Sequence, residues 1–283
     1  MSISIAVFAH NEEDNIERCI RSIYLSSQAP ENILVKVLIN GTTDNTRHII
    51  ELLQKEYLTL SYIDITLGDK SNAWNTFVYD IDNFNQKFYF LDGDNWLPSY
   101  SLDFIDKEFD TAKYSAIAPT PIGVTERLRG ELIDRKFISG NFYGVSGDFL
   151  KDVIIGNNFK LPIGFIGDDS LVMYLLEEGI QGKEELKGIK VLSSVGPVIP
   201  RVKINLGMIT FAHNRYKRYA LRHFQQEVFY FLARNNRLED LPEKASDIKN
   251  LLFKIGHKPF LSLCGIQTFY HPYAIFKILT AKG

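Results

Sequence analysis

Ser4-Ile5-Ala6-Val7-Phe8-Ala9 is a short apolar run closed by polar His10-Asn11, the pattern of a buried strand. Ile16, Cys19, Ile20 and Ile23 then recur at helical spacing. Asn11 is the expected N-cap of that helix, with Asp14 at the capping-box position. Ile33 to Ile39 predicts a second strand. The turn Asn40-Gly41-Thr42-Thr43-Asp44 leads into a helix carrying Ile49, Ile50, Leu52 and Leu53. Leu58 to Ile65 predicts a third strand, 71–81 a helix, and Lys87 to Leu91 a fourth strand. Such alternation implies a mainly parallel sheet covered on both faces. Ligands of these sheets sit beyond the carboxyl ends of the strands, which draws His10, Asn40 and Asp92 toward one crevice.

Residues 100–200 are less regular. Ala116 to Ile122 and Phe142 to Val145 read as strands, and 168–178 as a short helix. A long helical pattern runs from Thr210 to Arg234, a second helix is expected over 244–255, and Leu238 to Lys244 is the expected joint. Pro259 to Phe276 carries no formal charge and is flanked by Lys258 and Lys277. It is slightly short for a bilayer span and is interrupted by Pro259, Gly265 and Pro272. Docking on the protein itself is the plain expectation. Its aromatics and lysines also suit a membrane surface, which makes a peripheral contact through 256–283 a second expectation.

Composition narrows the class. The chain has 283 residues, 45% of them hydrophobic and 23% charged, which excludes a disordered chain. The net charge of −2 hides an asymmetry. Residues 1–200 hold 18 Lys/Arg against 29 Asp/Glu, a net of −11, and residues 201–283 hold 14 against 5, a net of +9. The basic end points to an anionic partner. Cys19 and Cys264 make no disulfide framework and are expected as buried free thiols of a reducing compartment. With no signal peptide visible at Met1-Ser2-Ile3-Ser4, the expected location is the cytoplasm, at the inner face of the membrane if the peripheral contact forms.

Phe88-Tyr89-Phe90-Leu91-Asp92-Gly93-Asp94-Asn95 delivers two carboxylates to the end of a strand. Hard oxygen ligands suit Mn²⁺ or Mg²⁺, which commonly link carboxylates to diphosphate oxygens. An acidic turn is the plainer reading of Asp-Gly-Asp alone. Taken with Phe8-Ala9-His10-Asn11-Glu12-Glu13, the turn at Asn40 and the stretch Lys70 to Asn75, this order resembles the nucleotide-sugar-binding half of family 2 glycosyltransferases. The resemblance is clear over about 110 residues and looser to about residue 220.

The resemblance implies a GT-A fold, which is α/β, Rossmann-like and mainly parallel, with a C-terminal helical extension. The catalytic domain would span 1–209, with a nucleotide-sugar half at 1–110 and an acceptor half at 111–209, and the basic extension 210–283. It places Phe8, Ala9, His10 and Glu12 at the base. Asn40 falls where the family has an Asp that accepts from the uracil ring. An amide can accept or donate, so uracil fits and cytosine fits as well. Lys70 and Asn75 would lie beneath the nucleotide and sugar. Asp92 and Gly93 would face the ribose or sugar, and Asp94, with Asp92, would hold Mn²⁺ or Mg²⁺. In Gly164-Phe165-Ile166-Gly167-Asp168-Asp169-Ser170 the family's general base falls on Asp169, with Asp168 as competitor. Gly140 and Asn141 match the glycine-rich acceptor strand. Arg218-Tyr219 sits where processive relatives carry Arg-Trp, but Arg215 replaces their Gln, so processivity does not follow. Arg215 and Arg218 would neutralise phosphate, and His213 is a further candidate metal ligand.

The implied activity is inverting transfer from a nucleotide-sugar, UDP-sugar first, to a saccharide or lipid-linked saccharide, in surface polysaccharide or glycolipid synthesis. A nucleotidyltransferase would need a glycine-rich basic loop after the first strand, where this chain has acidic, glycine-free residues. A nucleic-acid-binding role for the basic end finds no RNA-binding signature, so no nucleic-acid partner is expected.

Overall fold

In a computed structural model of the chain, residues 3–84, 86–180, 185–193, 195–199, 208–256 and 265–280 are described. All seven residues of strand β1 (Ile3–Ala9) are buried, because helices cover the sheet on both sides. It lies between β2 (Ile33–Asn40) and β4 (Lys87–Asp92), parallel to both, and β3 (Leu60–Ile65) extends the sheet beyond β2. The full order is β3-β2-β1-β4-β6-β5-β7, with β5 at Ala116–Pro119, β6 at Phe142–Ser146 and β7 at Ile189–Leu192. Strand β6 runs antiparallel to both β4 and β5, while β5 and β7 are parallel.

Alternation along the strands divides the core into two layers. Phe88 and Phe90 join Phe8, Trp74, Phe77 and Tyr143 on one face. Tyr89 and Leu91 join Val7, Ile39 and Phe142 on the other. The first layer is covered by α3 (Lys70–Val78) and α6 (Asp168–Glu178), the second by α1 (Ile16–Leu25), α2 (Thr46–Leu53) and α4 (Ser101–Glu108). Phe90 stacks between Trp74 and Tyr143, with centroids 5.9 and 5.0 Å away, and the indole N–H of Trp74 donates to the Tyr143 hydroxyl at 3.0 Å. The polar atoms of the two buried rings therefore satisfy each other.

Helix α5 (Glu126–Asp134) crosses between β5 and β6 without a single buried residue. The long α7 (Met208–Arg234) joins two cores. Its Phe229 and Ala233 enter the first layer. Ala220, Phe224, Val228 and Leu232, four residues apart, pack on Leu252 of α8 (Lys249–Ile255) and on Ala274 and Ile278 of α9 (His271–Thr280). Each Phe, Val or Leu so buried contributes roughly 1.5–3 kcal/mol. No described helix is long and apolar enough to cross a membrane.

Several expectations are corrected. Asn11 does not cap α1. It adopts φ +56°, and its side-chain oxygen accepts from Thr43 N–H at 2.8 Å, so helix α1 starts only at Ile16. The helix expected over 244–255 is a tight turn at Ala245–Ile248 followed by α8. The strand expected to reach Ile122 ends at Pro119. The segment 238–244 is fastened to the body: Leu238 is buried in the first layer, Ile163 N–H donates to Glu243 O, and Ala245 N–H donates to Ile163 O, both at 2.8 Å. Cys19 is a buried free thiol, as expected. Cys264, residues 257–263 of the expected membrane contact and residues 281–283 lie outside the described residues.

Candidate active site

The carboxyl ends of β1, β2 and β4 form one rim, as the topology requires. At the end of β1, His10 Nδ1 lies 2.7 Å from the Asn40 carbonyl oxygen. A carbonyl only accepts, so Nδ1 is the donor of this contact. The Asn40 side-chain oxygen accepts the Asp69 N–H at 2.8 Å. Asp69 in turn caps α3 through Asn72 N–H and takes the Gly164 N–H at 2.9 Å. Asn40 thus ties the rim to the loop before α6. Gly41 (φ +63°) and Gly68 pass so closely that a Cβ on Gly41 would lie 2.6 Å from Gly68 backbone. Phe8 is 7% exposed and its ring packs against Phe90. Ala9 is fully buried and accepts the Thr42 hydroxyl. Asn75 is also committed to structure, because its amide clamps both the N–H and the C=O of Leu161.

Beyond β4, Gly93 crosses the backbone of β1. Its N–H donates to Phe8 O at 2.8 Å, and a Cβ there would sit 2.8 Å from that oxygen. Glu12, Asp92 and Asp94 gather on this rim. Burial raises the pKa of all three, and repulsion from Asp94 adds to it at Glu12 and Asp92. Lys70 answers part of this field. Its Nζ lies 2.6 Å from Asp92 Oδ1, 3.1 Å from Gly140 O and 3.8 Å from Asp168. Even so, burial pushes Asp92 up to about 6. Asp94 accepts from the Asn95 amide at 2.7 Å, and the Asn95 oxygen is buried with no partner among the described residues.

Among the described residues no three His, Cys, Asp or Glu gather closely enough to hold a metal ion alone. A pair of carboxylates completed by phosphate oxygens and water is the usual arrangement for Mn²⁺ or Mg²⁺, and the mutual repulsion on this rim is what a cation would relieve. Asp94 and Asp92 therefore fit the role. His213 stands apart: its ring bonds the Tyr270 hydroxyl at 3.1 Å and packs against that ring.

Asp168 and Asp169 begin α6 directly after Gly167, whose φ of +104° favours glycine. A Cβ on Gly167 would also strike Arg222 at 2.7 Å. Asp169 Oδ1 accepts from Ser170 N–H and lies 3.6 Å from Arg222, which also donates to the Ser170 hydroxyl. Burial, then the Asp168 charge, raises the Asp169 pKa against the opposing pull of Arg222 and Lys70. Gly140 leaves room for this carboxylate, since a Cβ there would sit 3.2 Å from Asp169 Oδ2. Gln225, one turn beyond Arg222, bonds Ile166 N–H and Gly164 O and so fixes the loop that presents both carboxylates. Sequence reading missed Gln225. Its signal was a polar residue beside the buried Phe224 and Val228.

A cavity of about 700 Å³ unites Lys70, Asp92, Gly140, Asn141, Asp168, Asp169, Arg215 and Arg218. His10, Glu12, Asn40 and Asp94 lie on the rim already described, outside its lining. The arrangement offers a partly buried carboxylate of raised pKa, Asp169, together with Asp92 and a lysine that reaches both Asp92 and Asp168.

The family model described as Glycosyl transferase family 2 matches residues 4–151. No curated sequence matches the chain. Among solved structures, a mannosyltransferase from Pyrobaculum calidifontis in complex with GDP-Man and Mn²⁺ aligns at TM-score 0.61 and 15% identity, covering 98% of this chain and 72% of that one. S. aureus TarS 1–349 in complex with UDP-GlcNAc aligns at 0.59 and 15% identity, over 99% and 81%. Glucosyl-3-phosphoglycerate synthase from Mycobacterium tuberculosis, with Mn²⁺, UDP and glucosyl-3-phosphoglycerate, aligns at 0.51 and 18% identity, over 74% and 75%. These likenesses show the GT-A fold, and the family match goes further: the chain belongs to glycosyl transferase family 2 and is a glycosyltransferase.

Proposed function

We propose that the protein moves a sugar from a nucleotide-sugar to an acceptor hydroxyl with inversion at the anomeric carbon. The observation that carries this reading is the cavity that Asp92, Asp169 and Lys70 line together. Asp169 takes the proton of the acceptor hydroxyl. The freed oxygen attacks the anomeric carbon from the face opposite the diphosphate, and the nucleoside diphosphate leaves with the bonding pair. The raised pKa of Asp169 brings it closer to neutral pH, where a general base is most effective. Asp94, with Asp92, would hold Mn²⁺ or Mg²⁺, whose Lewis acidity stabilises the departing diphosphate.

Uridine is the favoured base, as two of the three similar structures named above hold uridine nucleotides. The donor and metal are tested together by thermal shift with UDP, CDP or GDP, in Mn²⁺ and in EDTA. A ligand of the folded state must stabilise it. UDP with Mn²⁺ is expected to raise Tm, and Asp94→Asn to erase the Mn²⁺-dependent part. Stabilisation by CDP or GDP alone would overturn the uridine assignment.

A peripheral membrane contact through the C-terminal helices belongs to the same reading. Phe269, Phe276 and Leu279 are 85%, 63% and 46% exposed. From residue 248 onward the chain holds five lysines and no acidic residue. Aromatic and basic side chains together suit an anionic lipid surface.

A further inference from the structure

Asp168 and Asp169 are neighbours in sequence, yet each meets a cation from a different element. Lys70 of α3 lies 3.8 Å from Asp168 Oδ2 and joins that carboxylate to Asp92 on the strand-end rim. Asp169 is met from α7. Arg222 Nη2 lies 3.6 Å from Asp169 Oδ1 and donates to the Ser170 hydroxyl at 2.6 Å, and Gln226 reaches the same hydroxyl at 3.4 Å. The guanidinium fits against Gly167 because that residue has no Cβ to meet its Nε.

The two oxygens of Asp169 are therefore unequal. Oδ1 accepts the Ser170 N–H at 2.9 Å and faces the guanidinium. No described residue donates to Oδ2, which is turned toward Gly140 in the cavity that both residues line. A proton on Oδ1 would point a donor at donors, whereas a proton on Oδ2 leaves both contacts intact.

We infer that Arg222 is a positioning residue of the transfer reaction: it holds Asp169 by Oδ1, and Oδ2 is the oxygen that takes the acceptor proton. The acceptor O–H bond breaks as Oδ2 gains the proton. Its electron pair stays on the acceptor oxygen and forms the bond to the anomeric carbon, while the pair of the sugar–phosphate bond leaves with the diphosphate. Arg222 gives up no proton, since a guanidinium stays charged throughout the working range. The first helix of the basic C-terminal segment thereby completes the base of the catalytic domain. The inference rests on the proposed function, which makes Asp169 that base.

The groups facing Asp169 are Asp168 on its own helix, Lys70 from α3, the Tyr143 hydroxyl from β6 and Arg222 from α7, with Arg215 and Arg218 farther along the α7 wall of the cavity. Both near cations favour the charged carboxylate, Arg222 more than Lys70. Loss of Arg222 should therefore raise the pH at which Asp169 becomes charged and able to act.

The test uses the full chain with Arg222→Met and Arg222→Lys. Carboxyl ¹³C NMR of aspartate-labelled protein, with Asp169→Asn to assign the signal, follows the ionisation of Asp169 without donor or metal. Arg222→Met is expected to raise the midpoint by about one pH unit, and Arg222→Lys to restore most of the difference. Hydrolysis of UDP-glucose and UDP-GlcNAc by water, in Mn²⁺, reads the same carboxylate as a base. In Arg222→Met the acidic limb of kcat/KM should move up with the midpoint, and the plateau should fall about tenfold. The rise in Tm with UDP and Mn²⁺ should not change. Gly140→Ala crowds Oδ2 and should lower the plateau, and an unchanged plateau would put the proton on Oδ1 and overturn that half of the proposal. A purely structural role for Arg222 lowers the rate at every pH and leaves midpoint and limb in place, which overturns the other half. Weaker stabilisation by UDP in Arg222→Met would assign the guanidinium to the donor, with the same consequence. A midpoint that moves while the limb stays excludes Asp169 as the base, and the proposed mechanism and this inference fail together. An unmoved midpoint with a limb that still depends on Asp169 removes the role of Arg222 and leaves the proposed function standing.

Discussion

The substitution Lys70→Met withdraws an ammonium that lies 2.6 Å from Asp92 and 3.8 Å from Asp168. At an effective dielectric constant near 20, the gross attraction at the shorter distance is about 6 kcal/mol. Much of it is offset, because Met is free of the desolvation that acts on Lys70, and because both paired side chains keep more than a quarter of their exposure. Breaking a fully buried pair costs about 3–5 kcal/mol, and this partly open one should cost about 2–3. For a chain of this size the expected fall in Tm is about 3–5 °C. The pH dependence fixes the cause. Burial already pushes Asp92 up to about 6, and loss of Lys70 pushes it higher. A carboxyl whose folded pKa lies above its unfolded value destabilises the fold only where it is charged. The deficit of the variant is therefore largest at pH 8 and shrinks toward pH 5. Calorimetry at pH 5, 6.5 and 8 in EDTA measures it. A deficit equal at all three values, or absent at pH 8, would refute the pairing as its source. In an Asp92→Asn background the same substitution should be less costly, by the coupling energy of the pair.

Asp169→Asn should lower transfer by about a thousandfold while leaving nucleotide-induced stabilisation intact, and wild-type transfer in a folded variant would exclude this residue as the base. Gly140→Ala sets a methyl group 3.2 Å from Asp169 Oδ2. The carboxylate must shift by a few tenths of an ångström, and kcat is expected to fall about tenfold with donor affinity unchanged. Gly147→Ala is a test of the fold: its Cβ would lie 1.6 Å from Phe84 O. Backbone must move to admit it, and denaturant titration should show a loss above about 3 kcal/mol. Replacing Phe269 and Phe276 with Ser should weaken sedimentation with anionic vesicles, and sedimentation of the wild-type chain should decline with salt. No binding at low salt would end the membrane reading.

The nucleotide half was legible because its signals are local. Buried parallel strands are written as unbroken apolar runs, and each run ends where a polar residue reaches the rim, as at His10 and Asp92. Helix α6 appears over the residues expected, since paired Asp residues mark its start and Gly179 its end. Helix α5 has a capping Thr125 but no buried face to mark it, since no residue of it is buried and its apolar side lines a cavity. Roles set by distant partners were equally hidden. Nothing in the neighbourhood of Asn75 announces that its amide is spent on Leu161, 86 residues away. Asn40 likewise gives its oxygen to Asp69, and Asn11 binds Thr43 across the turn instead of capping a helix. The third metal ligand looked for in His213 was a guess from type, and that ring is held by Tyr270.

The reversed direction of β6 separates what this enzyme can change from what it must keep. An antiparallel strand brings its beginning, and not its end, to the catalytic rim, so the chain that precedes it shapes the acceptor side. That chain is residues 120–141, with α5 inside it, and it is clipped to the sheet where Asp92 N–H donates to Asn141 O at 3.0 Å. Ile138 aside, its apolar surface adds little to either core. Insertions, deletions and substitutions in α5 can thus be sampled at small thermodynamic risk, while the carboxylates across the cavity stay in register. A common nucleotide half could acquire new acceptors by remodelling one exposed loop, and a directed-evolution library confined to residues 121–137 would draw on the same freedom.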